Sequence, residues 1–284
     1  MNKWAIGIIL ITLLLAGAIY AIYEINDYDY EDADKSYKIV NKWELPIDLN
    51  EVSGIHWVGE NRIACVQDED GIIFIYDTSV SKIIKTYKFA GSGDYEAMGY
   101  LNGEYWIAES NGNLYNIKDL DATEEEADMV DLKFEYRNNI EGLAASKDGN
   151  LWLAVKDKNL DHSYGYKGIY SFDPVTKKLD ENPVLKIDYK DPKFDVLKTE
   201  NPRKLIRPSG LAFSPINGDL YVLDAEFQKV LRVGLNGAIK ELHLLDPAEF
   251  TQPEGICFSP SGRIFISNES LGGPANIIEI EITE

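Results

Sequence analysis

The stretch Gln252-Pro253-Glu254-Gly255-Ile256-Cys257-Phe258 decides the fold, because shorter versions of it recur along the chain. Each version places a Glu or Ser before a small residue and then begins an apolar run of strand-forming residues. The four other versions are Val52-Ser53-Gly54-Ile55, Tyr95-Glu96-Ala97-Met98, Ile140-Glu141-Gly142-Leu143 and Pro208-Ser209-Gly210-Leu211. Their polar residues are 43, 45, 68 and 45 positions apart. This spacing is the period of a four-stranded propeller blade, so each version predicts one blade.

The predicted fold is therefore all-β, a β-propeller of five four-stranded blades. The last repeat reaches the end of the chain after only three strands. The strand predicted at residues 37–46 has no partner nearby, so we expect it to complete the last blade and close the ring. Residues 190–207 account for the long spacing and are predicted to form a loop or short helix over one face. A six-bladed ring would need a whole blade in this insertion, which is too short for one.

The N-terminus predicts a membrane anchor. Residues 4–23 contain no charged side chain and would span about 30 Å as a helix, the thickness of a bilayer core. Lys3 precedes them and acidic residues follow, which places the bulk of the chain outside the cytoplasm. A cleaved signal peptide is the alternative, with Ala16-Gly17-Ala18 as a weak cleavage site.

Three domains follow from this interpretation: a transmembrane signal anchor at 1–23, an acidic tether at 24–35 and the propeller at 36–284. The predicted location is the inner (cytoplasmic) membrane, crossed once, with the propeller on the extracytoplasmic, periplasmic side.

The charge balance limits the partners. The 28 Lys and Arg residues against 48 Asp and Glu residues give a net charge of −20, which argues against nucleic acid or anionic lipid as a partner of the domain. Attraction for cations follows more naturally, although a solvated acidic surface accounts for most of these side chains. Cys65 and Cys257 lie in apolar runs and are interpreted as buried free thiols. A closed ring would make their repeats neighbours, so a disulfide stays open in an oxidising compartment.

Polar residues at the strand ends are predicted to converge at one mouth of the channel. In a blade the first strand lines the channel and the second runs antiparallel to it. Residues that open the first strand and residues that follow the second strand therefore lie at the same end. The first set contains Ser53, Glu96, Glu141, Ser209 and Glu254, and the second contains Asp68, Glu109, Lys156, Asp157, Asp224, Glu226, Asn268 and Glu269.

Carboxylates crowded at this mouth repel one another unless a cation lies among them or they take up protons. Neither set contains His or Cys, so oxygen ligands and a hard cation, calcium, are expected. The predicted metal ligands are Glu96, Glu141, Glu254, Glu226 and Glu269. The predicted ligand-binding residues are Ser53, Glu109, Lys156, Asp157, Ser209 and Asp224. The alternative is a structural ring, whose Glu side chains cap backbone N–H groups or pair with Lys156 or Arg207.

The other motifs are weaker evidence for a functional site. Asp68-Glu69-Asp70-Gly71 is similar to the start of a calcium loop but lacks the distal Glu, so it is interpreted as a hairpin turn. His56 adjoins Trp57 in a predicted strand and is interpreted as a packed residue. The sequence contains no Gly-x-Ser-x-Gly elbow and no phosphate-binding glycine loop, and catalytic residues stay unassigned.

Four phrases together resemble one family. They are Tyr95-Glu96-Ala97-Met98, Ile140-Glu141-Gly142-Leu143-Ala144, Lys156-Asp157-Lys158-Asn159 and Pro253-Glu254-Gly255-Ile256. With a single N-terminal membrane segment, they are similar to the SdiA-regulated β-propeller family of bacterial envelope proteins over about residues 36–284. NHL-type and esterase-like phytase propellers share the Glu-Gly-Leu-Ala phrase, and Asp157 stands where the family pattern has Glu. The resemblance implies a membrane-anchored propeller with bound calcium. It does not supply a reaction.

Three functions compete. The favoured one is a binding module that holds a divalent cation, and with it a small molecule or an envelope protein, at the channel mouth. The second is a calcium-dependent hydrolase of the lactonase or phosphoesterase type, with Glu141, Glu109 or Glu226 as general base. It is less favoured because no evident base is placed at the mouth and an acidic rim repels phosphate. The third is a structural scaffold with an inert channel.

Overall fold

Five antiparallel sheets of four strands form the propeller in the computed structural model, which describes residues 36–120, 127–134 and 138–283. The first blade contains β2 (Val52–Gly59), β3 (Arg62–Gln67), β4 (Asp70–Asp77) and β5 (Lys82–Ser92). The second contains β6 (Tyr95–Leu101), β7 (Glu104–Glu109), β8 (Asn113–Ile117) and β9 (Asp128–Asp131). The third contains β10 (Ile140–Ala145), β11 (Leu151–Val155), β12 (Tyr166–Asp173) and β13 (Lys178–Asp188).

The fourth blade contains β14 (Pro208–Phe213), β15 (Leu220–Asp224), β16 (Lys229–Val233) and β17 (Ile239–Leu244). The fifth contains β18 (Pro253–Phe258), β19 (Ile264–Asn268), β20 (Asn276–Ile282) and, from the other end of the domain, β1 (Tyr37–Glu44). The prediction of five four-stranded blades is confirmed, and the six-bladed alternative is wrong.

Strand β1 closes the ring as the sequence predicts. It pairs antiparallel with β20, from Tyr37 opposite Ile282 to Glu44 opposite Asn276. The Tyr37 ring packs edge-on against Phe250, and its hydroxyl accepts a hydrogen bond from the Asp246 N–H at 2.9 Å. The last blade is thereby completed by the first strand of the domain, and its β20 edge is covered.

A β-bulge lies in the first strand of every blade, at the repeated polar residue. Tyr95 pairs with Glu109 and Ala97 with Ala108, so Glu96 is an extra residue without a partner in the ladder. The register shifts in the same way at the equivalent positions of the other blades, around Ser53, Glu141, Ser209 and Glu254. A bulge redirects the extra side chain and bends the strand. The repeated Glu or Ser is therefore turned toward the channel by its own strand.

Glycine follows the bulge where neighbouring first strands approach each other closely. A Cβ atom on Gly255 would lie 2.3 Å from the Ser53 carbonyl oxygen, and one on Gly54 would lie 2.6 Å from the Met98 nitrogen. Real Cβ contacts of this kind do not occur, so the small residue of the repeated phrase is a requirement of the narrow channel.

The hydrophobic core lies between the faces of adjacent blades. One cluster joins the first and fifth blades and contains both cysteines together with Phe74, Tyr76 and Phe265. Cys65 and Cys257 are buried free thiols in this cluster, as the sequence analysis favoured, and burial raises the pKa of both above its usual range.

The insertion 190–207 contains a 3-10 helix at Pro192–Leu197 and a short α-helix at Pro202–Leu205. Phe194, Leu197 and Leu205 are buried, and the Asp191 carboxylate accepts a hydrogen bond from the Ile239 N–H of the fourth blade. The predicted loop or short helix is thus a packed segment.

The predicted anchor at 4–23 and tether at 24–35 lie outside the described residues. Within the described ranges, no helix is both long enough and apolar enough to cross a bilayer.

Candidate functional site

The first strands of the five blades surround the central channel. Strands β2, β6, β10, β14 and β18 contact their neighbours in turn around the axis. The channel narrows to a cavity of about 10 Å³, lined by Glu96, Glu141, Ser209 and Glu254 together with backbone and apolar atoms. A cavity of this volume holds about one water molecule. The bulges therefore bring four of the five repeated polar residues to a very narrow part of the axis.

The opposite end of the channel is apolar. There a cavity of about 460 Å³ is lined by aromatic and aliphatic side chains, including Trp57, Met98, Phe213 and Phe258. His56 also lies there, packed against Tyr100, and burial lowers its pKa to about 4. The interpretation of His56 as a packed residue agrees with this position, and the charged residues of the channel lie at the other mouth.

Lys156 is paired with one of the axial carboxylates, Glu141. Glu141 is 3% exposed, and its carboxylate accepts hydrogen bonds from Lys156 Nζ at 2.9 Å and from Asn139 Nδ2 at 2.6 Å. Burial raises the pKa of Glu141 against the opposing effect of Lys156. Burial, with the charges of Glu141 and Asp94, raises the pKa of Glu96 to about 11. The raised pKa favours the protonated form of the Glu96 carboxyl.

Glu254 lies between the axis and the rim of the mouth. It is 6% exposed, and its Oε2 is buried without a hydrogen-bond partner among the described residues. Burial first, and then the charge of Glu141, raises its pKa to about 8. An unpartnered buried carboxylate oxygen is costly unless it binds a proton or a cation.

All six predicted ligand-binding residues are hydrogen-bonded inside the protein, Lys156 to Glu141 and Asp157 to Arg207 among them. The Ser53 and Ser209 hydroxyls donate to the carbonyls of Glu51 at 3.3 Å and Pro253 at 2.9 Å. Asp224 is fully buried with Lys229 Nζ at 2.6 Å and also accepts from two backbone N–H groups. Glu109 accepts from Asn113 Nδ2 and the Tyr115 hydroxyl within its own blade. Their assignment as ligand-binding residues stays a prediction.

Arg207, at the end of the insertion, pairs with two acidic residues of the predicted outer set. Its guanidinium donates to Asp157 Oδ1 at 2.6 Å and forms an ion pair with the Glu226 carboxylate. Lys156 pairs with Glu141 in the same way. Both pairings are those of the structural-ring alternative, so Glu141 and Glu226 already have a cation from the protein itself.

A separate carboxylate cluster lies at the rim, between the first and fifth blades. One oxygen from each of Glu51, Asp68 and Glu269 lies within 4.8 Å of the other two. Backbone hydrogen bonds fix the three loops that carry them: the Asp68 N–H donates to the Glu51 carbonyl at 3.3 Å and the Ser270 N–H to the Asn50 carbonyl at 2.8 Å. The cluster is therefore held by closure of the ring and by hydrogen bonds between the blades.

The rim cluster is short of positive charge. Burial and the neighbouring charges of Glu51 and Asp94 raise the pKa of Asp68 to about 6. Burial, followed by the charges of Glu254 and Asp68, raises the pKa of Glu269 to about 8. The Gln252 amide donates to Glu269, and Asp68 Oδ1 is buried with no partner in the described part of the chain. A cation at this position would satisfy oxygens that the protein leaves without donors.

Sequence reasoning found part of this cluster. Glu269 is a predicted metal ligand and Asp68 belongs to the predicted outer set, whereas Glu51 was missed because it precedes the repeated phrase by one residue. Asn50 and Glu51 follow directly on the 3-10 helix Ile47–Leu49, and only the closed ring brings that loop to Ser270. No local pattern in the sequence signals this contact.

Comparisons with known proteins support the fold. A search of curated protein sequences found no significant match. A glutaminyl cyclase structure from Myxococcus xanthus superposes with a TM-score of 0.58 at 13% identity, covering 86% of this chain and 95% of that one. A PQQ-bound aldose sugar dehydrogenase from Streptomyces coelicolor gives a TM-score of 0.52 at 10% identity, covering 86% and 97%. At such identities the likeness concerns the fold alone.

The family is shown by the sequence match. The model of the SdiA-regulated family matches residues 32–271, which include the first strand of every blade and the ring-closing strand. The chain therefore belongs to the SdiA-regulated family.

Proposed function

We propose that this propeller binds a divalent cation, calcium, at the rim of its acidic mouth through Glu51, Asp68 and Glu269. One observation carries the proposal: three carboxylate oxygens from three loops lie within 4.8 Å of one another. Oxygen ligands lie 2.3–2.6 Å from a calcium ion, so no two of them are more than about 5 Å apart. This spacing is compatible with a single calcium ion that all three oxygens bind.

The electrostatics of the mouth support the same assignment. Burial is the main cause of the raised pKa values of Asp68 and Glu269, and repulsion by neighbouring carboxylates, Glu51 for Asp68 and Glu254 for Glu269, adds to it. Asp68 Oδ1 and, deeper in the mouth, Glu254 Oε2 have no hydrogen-bond donor in the described residues. A divalent cation would replace the repulsion between these carboxylates with attraction to the ion. It would also give the oxygens without a hydrogen-bond donor a positively charged partner. The donor set is oxygen only, which favours calcium or magnesium over zinc and copper.

The axial residues take a different role in this proposal. Glu141 and Glu226, predicted from the sequence as metal ligands, are paired with Lys156 and Arg207. Glu96 lies deeper in the channel, and the charges that raise its pKa are those of Glu141, Asp94 and Glu254. We assign Glu96 and Glu141 to the lining of the channel and Glu269 to the cation.

The apolar segment 4–23, as a membrane anchor, would hold this mouth outside the cytoplasm. Calcium sites of extracellular modules have dissociation constants of about 10⁻⁴–10⁻³ M. A partly exposed site with three carboxylates belongs in this range, and we propose that the site is filled at extracytoplasmic calcium concentrations.

Calcium-dependent melting of the full chain tests the proposal. After treatment with EDTA, calcium at about 5 mM is expected to raise the melting temperature by several degrees, because a ligand that binds only the folded state stabilises it. Glu269→Gln should abolish the rise. Glu181→Gln, on exposed strand β13, is the matched control and should retain it, as should Glu96→Gln. No response to calcium, or a response lost in Glu96→Gln and kept in Glu269→Gln, would contradict the rim site.

A further inference from the structure

A further cavity of about 730 Å³ lies beside the mouth, between the third blade and the insertion 190–207. The loop after β11 forms one wall, and Pro202, Arg203, Ile206 and Arg207 form the other. This volume is within the range of pockets for small organic molecules. None of the residues assigned above to the calcium site lines it.

The lining of this cavity is cationic although the chain carries a net charge of −20. Its basic residues are Lys156, Lys158, Lys167, Arg203 and Arg207, against Asp94 and Asp157 as acidic ones. Lys156 and Arg207 are paired with carboxylates, and Arg203 lies 3.8 Å from Asp157. Lys158 and Lys167 have no carboxylate within 4 Å among residues 36–120, 127–134 and 138–283. Positive charge is thus left unpaired in the lining of this cavity.

Among the basic residues that line the cavity, Lys167 gives the strongest evidence for a bound anion. It is 2% exposed, and its ammonium group donates to the carbonyls of Lys156 at 2.9 Å and Asp157 at 2.7 Å. A lysine has three N–H donors, so one remains beside the cavity that it lines. Burial lowers its pKa to about 8. A buried ammonium group without a carboxylate is costly, and an anion in the cavity would remove that cost.

The same cavity has an apolar and aromatic side. Tyr164 is 80% exposed at its edge, Tyr189 lies in its wall and Ile206 is fully buried behind it. An aromatic ring left this exposed is available for stacking on a ligand. The cavity therefore combines donors for an anionic group with a surface for a planar or apolar one.

We propose that this cavity binds a small organic anion, with its carboxylate or phosphate group on Lys167, Lys158 and Arg203 and its apolar part against Tyr164 and Tyr189. The proposal goes beyond the cation site and does not depend on it. Charge-assisted hydrogen bonds from buried donors give the anion its affinity, and the aromatic wall selects against purely inorganic ions.

The test uses phenyl phosphate and phenylacetate as probes, with uncharged phenylacetamide and inorganic phosphate as comparisons. Binding to the full chain is followed by the melting temperature, in EDTA so that the result is independent of calcium. At a concentration of about fifty times the dissociation constant, a bound probe should raise the melting temperature by about 5 °C. We expect this for at least one aromatic anion and not for the amide. The better of the two anions identifies the preferred group.

Variants locate the site. Lys158→Ala/Arg203→Ala removes two exposed charges and should weaken binding of the probe about tenfold or more. Lys82→Ala/Lys88→Ala on β5 removes the same charge elsewhere and should leave it unchanged. Lys167→Met tests the buried donor and should abolish binding, provided that its far-UV circular dichroism matches the parent. Equal shifts with anion and amide, no shift with either anion, or equal affinities of the pocket and control variants would overturn the proposal.

Discussion

Glu269 shows how position alone sets the chemistry of a residue at the mouth. The same side chain on the outside of a blade would be charged and solvated. Here it is buried beside Glu254, Asp68 and Glu51, which raises its pKa to about 8. Glu254 has a pKa of about 8 for similar reasons. The mouth thus holds carboxyl groups that exchange protons near neutral pH, and a cation would compete with those protons.

The raised pKa of Glu269 predicts a pH dependence of stability. Between about pH 4.5 and pH 8, the folded chain binds a proton at Glu269 that the unfolded chain has released, so the free energy of unfolding falls as pH rises. In EDTA, Glu269→Gln should therefore gain stability relative to the parent as pH rises from about 5 to 8. We expect the difference in melting temperature to grow by about 2–4 °C.

Saturating calcium supplies the control for this experiment. The cation holds the carboxylate in its charged form, so the parent should now gain stability relative to the variant at the higher pH. A difference between parent and variant that does not change with pH in EDTA would show that Glu269 has an ordinary pKa. That result would remove the electrostatic support for the rim site.

Strands and their order could be predicted from the repeat, since each Glu or Ser with its small neighbour opens a first strand at blade spacing. The closing role of β1 followed from counting strands in the last repeat. The bulge at each polar residue could not be predicted, because register depends on a partner strand that the local pattern does not reveal. The pairing of Arg207 with Asp157 likewise needed the packing of the insertion.

Substitutions in the ring-closing strand β1 test how much it contributes to stability. Tyr37 is buried against Phe250 and holds β1 to the fifth blade, so Tyr37→Ala should lower the free energy of unfolding by about 3–5 kcal/mol. Tyr37→Phe keeps the ring and loses the hydroxyl that accepts the hydrogen bond from the Asp246 N–H, which should cost about 1 kcal/mol. Urea unfolding measures both. A loss below about 1 kcal/mol for the Ala variant would mean that β1 contributes little to closing the ring.

In the whole molecule, closure of the ring determines which residues form the candidate site. The repeat predicts the axial Glu141 as a metal ligand, and in the folded chain it is paired with Lys156. Glu226, a predicted metal ligand of the outer set, is paired with Arg207. The rim cluster depends on the contact between the first and fifth blades, which are far apart in sequence. Because Glu51 and Glu269 are neighbours only in the closed ring, sequence spacing could not assign them to one site.

The fold also places acidic, basic and apolar residues in different regions of the molecule. One mouth gathers carboxylates, the cavity beside it gathers unpaired lysines, and the opposite mouth is apolar. A cation at the rim and an organic anion next to it would occupy adjoining parts of the same face. The proposed binding function therefore belongs to one face of the propeller.

A crystal of the protein grown with calcium, and measured at a wavelength where calcium scatters anomalously, tests the rim site most directly. We expect one strong anomalous peak bound by oxygens of Glu51, Asp68 and Glu269, at distances of about 2.3–2.6 Å. A peak on the axis among Glu96, Glu141 and Glu254, or no peak at the mouth at calcium concentrations of several millimolar, would contradict it.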